Sequence, residues 1–385
     1  MIVILFDTPE SRKGLYPFTP TRPVSALRQG IFTVKERWEK LTLLQVESLT
    51  EDYLNLPLPQ SNDEYLYVDA TILNHVQQEA DLSKAIFTLP PETVLKHGED
   101  ILAVRTGEQL SYPVVIKKQT VVQYLGVVIK LKHPWQLFQE NERAIRDDFS
   151  LLVKNRTSEK AHSSNVLFGE ENIFLEPGVD MRACIINAET GPVYIGKNAV
   201  IMEGTSIRGP VVICENASVK MGARLYGGTT IGPKCTAGGE IKNSILMANS
   251  NKGHDGYLGD SAIGEWCNFG AGTSNSNVKN TASQVKMWDG SIDDYSTAGK
   301  KAGLLMGDYS RSGINTSFNT GTVVGVCCHV FGHTAPSKHV PSFTWGNEPY
   351  NIEKALGDIS RWKNMKGEQL AEWEEETLRK LRVMS

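Results

Sequence analysis

The sequence predicts two parts, an α/β layer domain followed by a parallel β-helix, and three observations carry that prediction. An aliphatic residue stands at every sixth position from Ile195 through Ile201, Ile207, Ile213, Val219 and Leu225 to Ile231. A small class follows in phase at Ala199, Thr205, Val211, Ala217, Ala223, Thr229 and Cys235. Ahead of these repeats, short apolar runs alternate with amphipathic stretches. A period of six held this long fits neither a helix of period 3.6 nor a strand of period 2. One aliphatic and one small inward residue per unit builds one side of a coil, and three units close a turn of about eighteen residues.

Taken in order, Ile2–Phe6 and Tyr65–Val68 read as buried strands. Ile31, Val34, Trp38 and Leu41 share one helical face, and Trp135, Phe138, Ile145 and Phe149 share another. Strands alternating with helices predict a mostly parallel, Rossmann-like sheet over residues 1–153. The polar run 154–165 has no apolar period and reads as a linker. The β-helix spans 166–348, its ladder extended by Ile173, Val179 and Ile185 before and by Ile263, Phe269, Ile314, Thr320 and Val326 after. From Ile231 to Ile263 is 32 residues, one coil plus about fourteen, so a loop carrying Lys252-Gly-His254-Asp255-Gly-Tyr257 is expected to leave the prism. A second excursion lies between Phe269 and Ile314, 45 residues where 42 would keep phase. Over 349–385, Ile352, Leu356, Ile359 and Trp362, then Leu370, Trp373, Leu378 and Leu381, predict a helical tail packed on the prism or on a neighbouring subunit.

Composition narrows the function. Of 385 residues, 40% are hydrophobic and 22% charged, ordinary for a soluble globular protein. A net charge of −4 gives no electrostatic reason to expect nucleic acid or an anionic membrane. No apolar run approaches a membrane span, and Met1–Phe6 lacks the basic start and length of a signal peptide, so a cytoplasmic protein is expected. The cysteines show no zinc spacing, and Cys235 and Cys267 fall in small inward slots, where packing explains them.

Arg224 and Lys242 are eighteen residues apart, so they are expected to stack on one face about 4.8 Å apart, as a pair of cations suited to a phosphate. His254 follows in the ejected loop, where an imidazole of ordinary pKa, about 6.5, suits proton abstraction, and Asp255 could orient it.

These residues carry a resemblance. Glu240-Ile-Lys242, Lys252-Gly-His254, Tyr257-Leu-Gly-Asp260, Ile263-Gly264, Asn268-Phe-Gly270-Ala-Gly-Thr273 and Asn277 resemble the acetyltransferase half of the bifunctional N-acetylglucosamine-1-phosphate uridyltransferase and glucosamine-1-phosphate acetyltransferase family. The resemblance implies a left-handed β-helix that forms homotrimers, with active sites between subunits. It makes His254 the general base that takes a proton from a sugar amine attacking acetyl-CoA. It makes Arg224 and Lys242 ligands of the sugar phosphate, with Tyr257, Asn268 and Asn277 on phosphate or sugar. Ala271 would lie against acetyl-CoA; Lys286 is carried over to the same ligand, although the family's lysine in that loop falls at another spacing. The first half departs from the family, because the Gly-rich loop that cradles nucleotide phosphates is replaced by Asp7-Thr-Pro-Glu-Ser-Arg12-Lys-Gly14. Leu15 to Gly30, with Arg22-Pro23 and Leu27-Arg28-Gln-Gly30, and His133-Pro-Trp135 resemble a divergent nucleotidyltransferase branch. That resemblance places Arg12 and Arg22 on the triphosphate of UTP or dTTP and Asp69 on Mg²⁺.

The implied function is acetylation of an amino-sugar phosphate followed by nucleotidyl transfer, making UDP-N-acetylglucosamine or a related nucleotide sugar. Three alternatives stand beside it: an acetyltransferase with a degenerate nucleotide-binding domain, a non-catalytic trimeric scaffold, and a metalloenzyme of the γ-carbonic anhydrase type using His329, His333 and His339. The last is disfavoured because three histidines within eleven residues do not stack at coil spacing.

Overall fold

Ile2–Phe6, buried at every position, pairs in parallel with Val46–Leu49 on one side and Tyr65–Asp69 on the other. The computed structural model describes every residue except 55, 60–63, 74–79, 117–118, 333 and 385. Beyond Tyr65–Asp69 two pairs are antiparallel, Asp100–Thr106 running against it and Thr93–His97 against Asp100–Thr106, and Thr120–Gln123 then closes the edge in parallel. Three of the five strand pairs among the described residues are therefore parallel, as expected, and the two made by Asp100–Thr106 are antiparallel. The reason is local, since His97 faces Asp100 across a two-residue Gly98-Glu99 turn, with Gly98 at φ 60°, which makes a hairpin instead of a crossover. The helix Val34–Thr42 starts at a capping box: Thr33 Oγ1 accepts from Glu36 N at 3.1 Å, and Glu36 accepts from Thr33 N at 2.7 Å.

The second half is a three-walled parallel β-helix. Its first wall stacks Ile195, Ile213 and Ile231 in register, its second Ile201, Val219 and Ala237, and its third Ile207 and Leu225, all buried inward. The eighteen-residue coil thus governs the central run. Below it the coils are longer: Leu175 lies opposite Ile195 and Ile186 opposite Ile207. The phase extrapolated to Val179 and Ile185 is therefore wrong. Ile185 is 48% exposed and Ile186 points inward. Above, Ile314 is 74% exposed and the inward positions are Ser312, opposite Phe269, and then Phe318.

The stretch from Ile231 to Ile263 is not a coil plus an ejected loop. Ile231 pairs with Leu246 and Leu246 with Ile263, so the 32 residues form two shortened coils, of 15 and 17. The chain saves residues at corners where Asn243 and Asp260 adopt φ of 46° and 47°, turning Glu240–Leu246 and Tyr257–Ile263 from the third wall directly into the first. The second excursion is real. Phe269 pairs with Ser312, and between them the hairpin Val285–Asp289 and Asp294–Gly299 leaves the prism.

The outward column of the first wall, Phe174, Tyr194, Val212, Thr230, Ile245, Ala262, Leu305 and Val323, is buried throughout because the N-terminal half lies against it. Asn141, at the start of helix Asn141–Val153, donates to Gly228 O at 2.7 Å and accepts from Gly30 N at 2.7 Å, and Thr230 Oγ1 donates to Gly30 O at 2.9 Å. Gly30 has φ 70°, and a side chain there would collide with Asp148 and Ala144. The tail forms helices Ile352–Met365 and Glu372–Met384, which pack on Trp266, Tyr309, Val326, Cys327 and Phe343 of the same chain. No described helix is long and apolar enough to cross a membrane.

Candidate active site

The corner between the second and third walls is built from short polar segments stacked over successive coils: Gly238-Gly239, then Gly253–Gly256, then Gly270–Thr273. From Ala237 to Ile241 the chain takes four steps to turn this corner, whereas from Lys252 to Leu258 it takes six. The corner bearing His254 and Asp255 therefore overhangs a tighter one. Contact between them is close, for a side chain on Gly239 would strike His254 O and Gly256 O. His254 and Asp255 are exposed on this ledge.

Arg224 and Lys242 both lie on the third wall beside the ledge, and both are exposed. They do not stack on one another as the eighteen-residue spacing implies. Because the intervening coil is short, Arg224 lies opposite Glu240, with Nε 3.6 Å from Oε2, and Lys242 lies opposite Gly259. The cations are two residues out of register, with a carboxylate next to the guanidinium.

One coil further on, Tyr257 leans over Gly259, where any side chain would meet the phenol. Asn277 Nδ2 donates to Tyr257 Oη at 3.0 Å and to Asp260 Oδ2 at 2.6 Å, while Asn243 Nδ2 donates to Asp260 Oδ1 at 2.6 Å. Burial first, and then the Asp260 carboxylate, push the Tyr257 phenol up to about 12, so it keeps its proton at neutral pH. Asp260 is the hub of this cluster and was not singled out from sequence. Its signal is the recurrence of Asn243, Asp260 and Asn277 at a spacing of 17, the length of the coils here.

The remaining residues fall elsewhere. Ala271 is exposed at the same corner one coil beyond His254. Asn268 stands on the second wall, where its Oδ1 accepts from Asn251 Nδ2 at 3.4 Å. Lys286 lies on the hairpin, exposed, with its carbonyl accepting from Lys338 Nζ at 2.8 Å, away from the ledge.

In the N-terminal half the expected nucleotide ligands are engaged by the protein itself. Arg12 is buried and donates to Asp7 at 3.2 Å, Thr50 Oγ1 at 2.7 Å, Tyr53 Oη at 2.7 Å and the carbonyls of Thr19 and Arg22. Arg22, also buried, reaches out of its domain to Glu265 at 2.6 Å and to Asp308. Asp69 accepts from Thr71 N at 2.8 Å and Thr71 Oγ1 at 2.7 Å and pairs with Lys130 at 2.7 Å. A carboxylate already facing an ammonium and two donors does not fit Mg²⁺, whose ligands must turn their lone pairs to the ion. Among the described residues no group of three His, Cys, Asp or Glu is placed to hold a metal. His329 stacks on Trp345 at 4.3 Å and His339 on Trp288 at 4.1 Å, on different walls, and His333 lies outside the described residues. All six cysteines are free and buried.

Residues 3–157 match the sugar nucleotidyl transferase family. A bifunctional protein GlmU of Methanocaldococcus jannaschii is 37% identical over 106 residues, which cover 28% of this chain and 26% of that one. A bifunctional sugar-1-phosphate nucleotidylyltransferase/acetyltransferase of Sulfurisphaera tokodaii is 27% identical over 213 residues, 55% of this chain and 46% of that one. A bifunctional protein GlmU of Synechococcus elongatus is 26% identical over 276 residues, 69% of this chain and 52% of that one. The chain spans about half or less of the length of these curated relatives. With a half that matches the sugar nucleotidyl transferase family leading into a hexapeptide β-helix that carries the ledge motif, the chain is similar to the GlmU-type bifunctional proteins over part of its length.

Proposed function

We propose that the chain N-acetylates an amino-sugar phosphate, glucosamine 1-phosphate or a close relative, with acetyl-CoA as acyl donor. The observation that carries this reading is the convergence of His254, Arg224, Lys242, Tyr257 and Asn277 on one corner and the wall beside it, over successive coils. The imidazole of His254 makes no hydrogen bond to another described residue and is free to take a proton. In this reading the sugar amine attacks the thioester carbonyl of acetyl-CoA, His254 accepts the ammonium proton, and CoA leaves as the thiol. Arg224 and Lys242 bind the phosphate, and their offset spreads the positive charge along the wall. The protonated phenol of Tyr257, fixed by Asn277, donates to phosphate or sugar. Asn268 borders the same corner from the second wall, and Ala271 lines the run of acetyl-CoA past it. The ledge is open on a single chain, and a homotrimer, in which a neighbour closes it, completes the site.

For the N-terminal half the family reading is nucleotidyl transfer from UTP or dTTP, yielding a nucleotide sugar and pyrophosphate. A second reading, a nucleotide-binding or positioning domain without turnover, is favoured by a specific observation: Arg12, Arg22 and Asp69 are all consumed by internal bonds. One assay with separate readouts for CoA thiol and pyrophosphate, run over a panel of sugar phosphates, tests both halves. His254→Ala is expected to lower kcat for CoA release by about 10²- to 10⁴-fold. An unchanged rate, or no CoA release by the wild type with any amino-sugar phosphate, overturns the acetyltransferase reading. Absence of pyrophosphate release with either nucleotide establishes the second reading of the N-terminal half.

A further inference from the structure

The second wall of the prism stacks small or apolar residues inward, and one position breaks the rule. Lys252 pairs in register with Ala237, on the coil before Phe269, and is only 2% exposed. A lysine in this slot puts an ammonium where neighbouring coils put methyl groups or a ring, a costly substitution unless the charge is hydrogen-bonded. Its stem fills the core and its Nζ reaches the corner, donating to His254 O at 2.5 Å and to Gly238 O at 3.3 Å. Those two carbonyls belong to the overhanging corner and to the tight corner beneath it. The ammonium therefore spans the step that the shortened coil creates, from inside the prism. Among the described residues no other hydrogen bond joins the backbone of His254 to a side chain.

We propose that Lys252 is a positioning residue for His254, pinning the backbone of the ledge from within so that the imidazole projects at a fixed height over the sugar-binding wall. This rests on the acetyltransferase reading for its effect on turnover, but not for its effect on the imidazole. The surroundings agree with a charge held for a purpose. Burial lowers the Lys252 ammonium to about 8, with the nearby Asp255 carboxylate opposing, so at neutral pH the group is still mostly charged while its burial costs stability. A side chain kept only for packing would be aliphatic, as it is one coil below.

The test uses the full-length protein. Lys252→Met keeps the stem and removes the donors; Lys252→Gln, shorter and neutral, keeps a donor and guards against misfolding of the first variant. In Lys252→Met, kcat for CoA release is expected to fall about 10- to 100-fold, the penalty of a misplacement near 1 Å. The KM for the sugar phosphate should stay within about threefold and Tm should not fall, with Lys252→Gln intermediate in kcat. In parallel, the His254 ring resonance, assigned by its loss in His254→Gln, should shift or broaden in Lys252→Met. Wild-type kcat together with an unchanged His254 resonance in Lys252→Met would overturn the proposal. If the wild type shows no acetyl transfer, the function fails and the resonance alone decides the role of Lys252: a moved signal supports it and an unmoved signal overturns it.

Discussion

His329 stands on the outer side of the second wall, its Nε2 3.3 Å from Arg311 Nη1 and its ring stacked on Trp345. Burial first, then the Arg311 guanidinium, push its imidazole down to about 4. The unfolded chain titrates near its ordinary value of about 6.5, so between those values the unfolded state binds a proton that the folded state refuses. Stability is intact above the upper value and is lost as pH falls toward the lower one. Tm measured from about pH 7 to about pH 4 should show this acid limb, and His329→Gln should flatten it. At this scale the sequence showed a motif more plainly than its geometry. His254, Tyr257 and Asn277 were legible as a motif; His254 sits at one corner of the third wall, and Tyr257, on that wall, is met by Asn277 from its other end. The stacking of Arg224 on Lys242 was read from an eighteen-residue coil that the four-step corner at Gly238-Gly239 shortens. Lys252 was invisible as an inward residue for the same reason, because its slot is defined only once the coil lengths are known.

Helices Ile352–Met365 and Glu372–Met384 are joined by a buried pair, Lys363 Nζ to Glu374 at 2.5 and 2.6 Å, with Tyr309 Oη donating to Glu374 at 2.9 Å. The side chains are 5% and 10% exposed, so removing one partner strands a charge out of water. Lys363→Met should cost about 3–5 kcal/mol, read as a lower denaturation midpoint and early release of the tail by tryptophan fluorescence. The tail, the hairpin-bearing excursion and the hexapeptide walls were all legible, because each imposes its own period or its own break in phase. The phase at either end was not: coils of 20 and 21 residues below and a hairpin above shift the register without changing the composition. The antiparallel strand Asp100–Thr106 of the N-terminal sheet was missed for a different reason. Short apolar strands look alike in parallel and antiparallel pairing, and only the turn at Gly98 distinguishes them.

The two halves of the molecule are locked together by buried polar contacts as well as by a shared core. Arg22 binds Asp308 and Glu265 of the prism, Thr21 donates to Asp308, and Arg37 holds Asp148 at 2.7 and 2.9 Å next to the Gly30–Asn141–Thr230 contact. Asp308 is 2% exposed, so Arg22→Met leaves an unpaired anion inside the junction. The expected loss is about 3–5 kcal/mol, and calorimetry should show two transitions, the N-terminal half melting first, where the wild type is expected to show one. Retention of one transition at the wild-type midpoint would show that apolar contact alone holds the junction. That an arginine resembling a nucleotide ligand serves as a clasp could not be read from sequence, since its partners lie 243 and 286 positions away.

The mismatch between a 15-residue turn and the 17-residue turn above it leaves a step at one corner whose size is set by counting residues. Every rung is tied to the next by main-chain bonds, so such a step can neither open nor shut as a hinged flap does. If the proposed site is right, selectivity there comes from a ready-made contour, and adding or deleting one or two residues at that bend is expected to recut the contour while leaving the column standing.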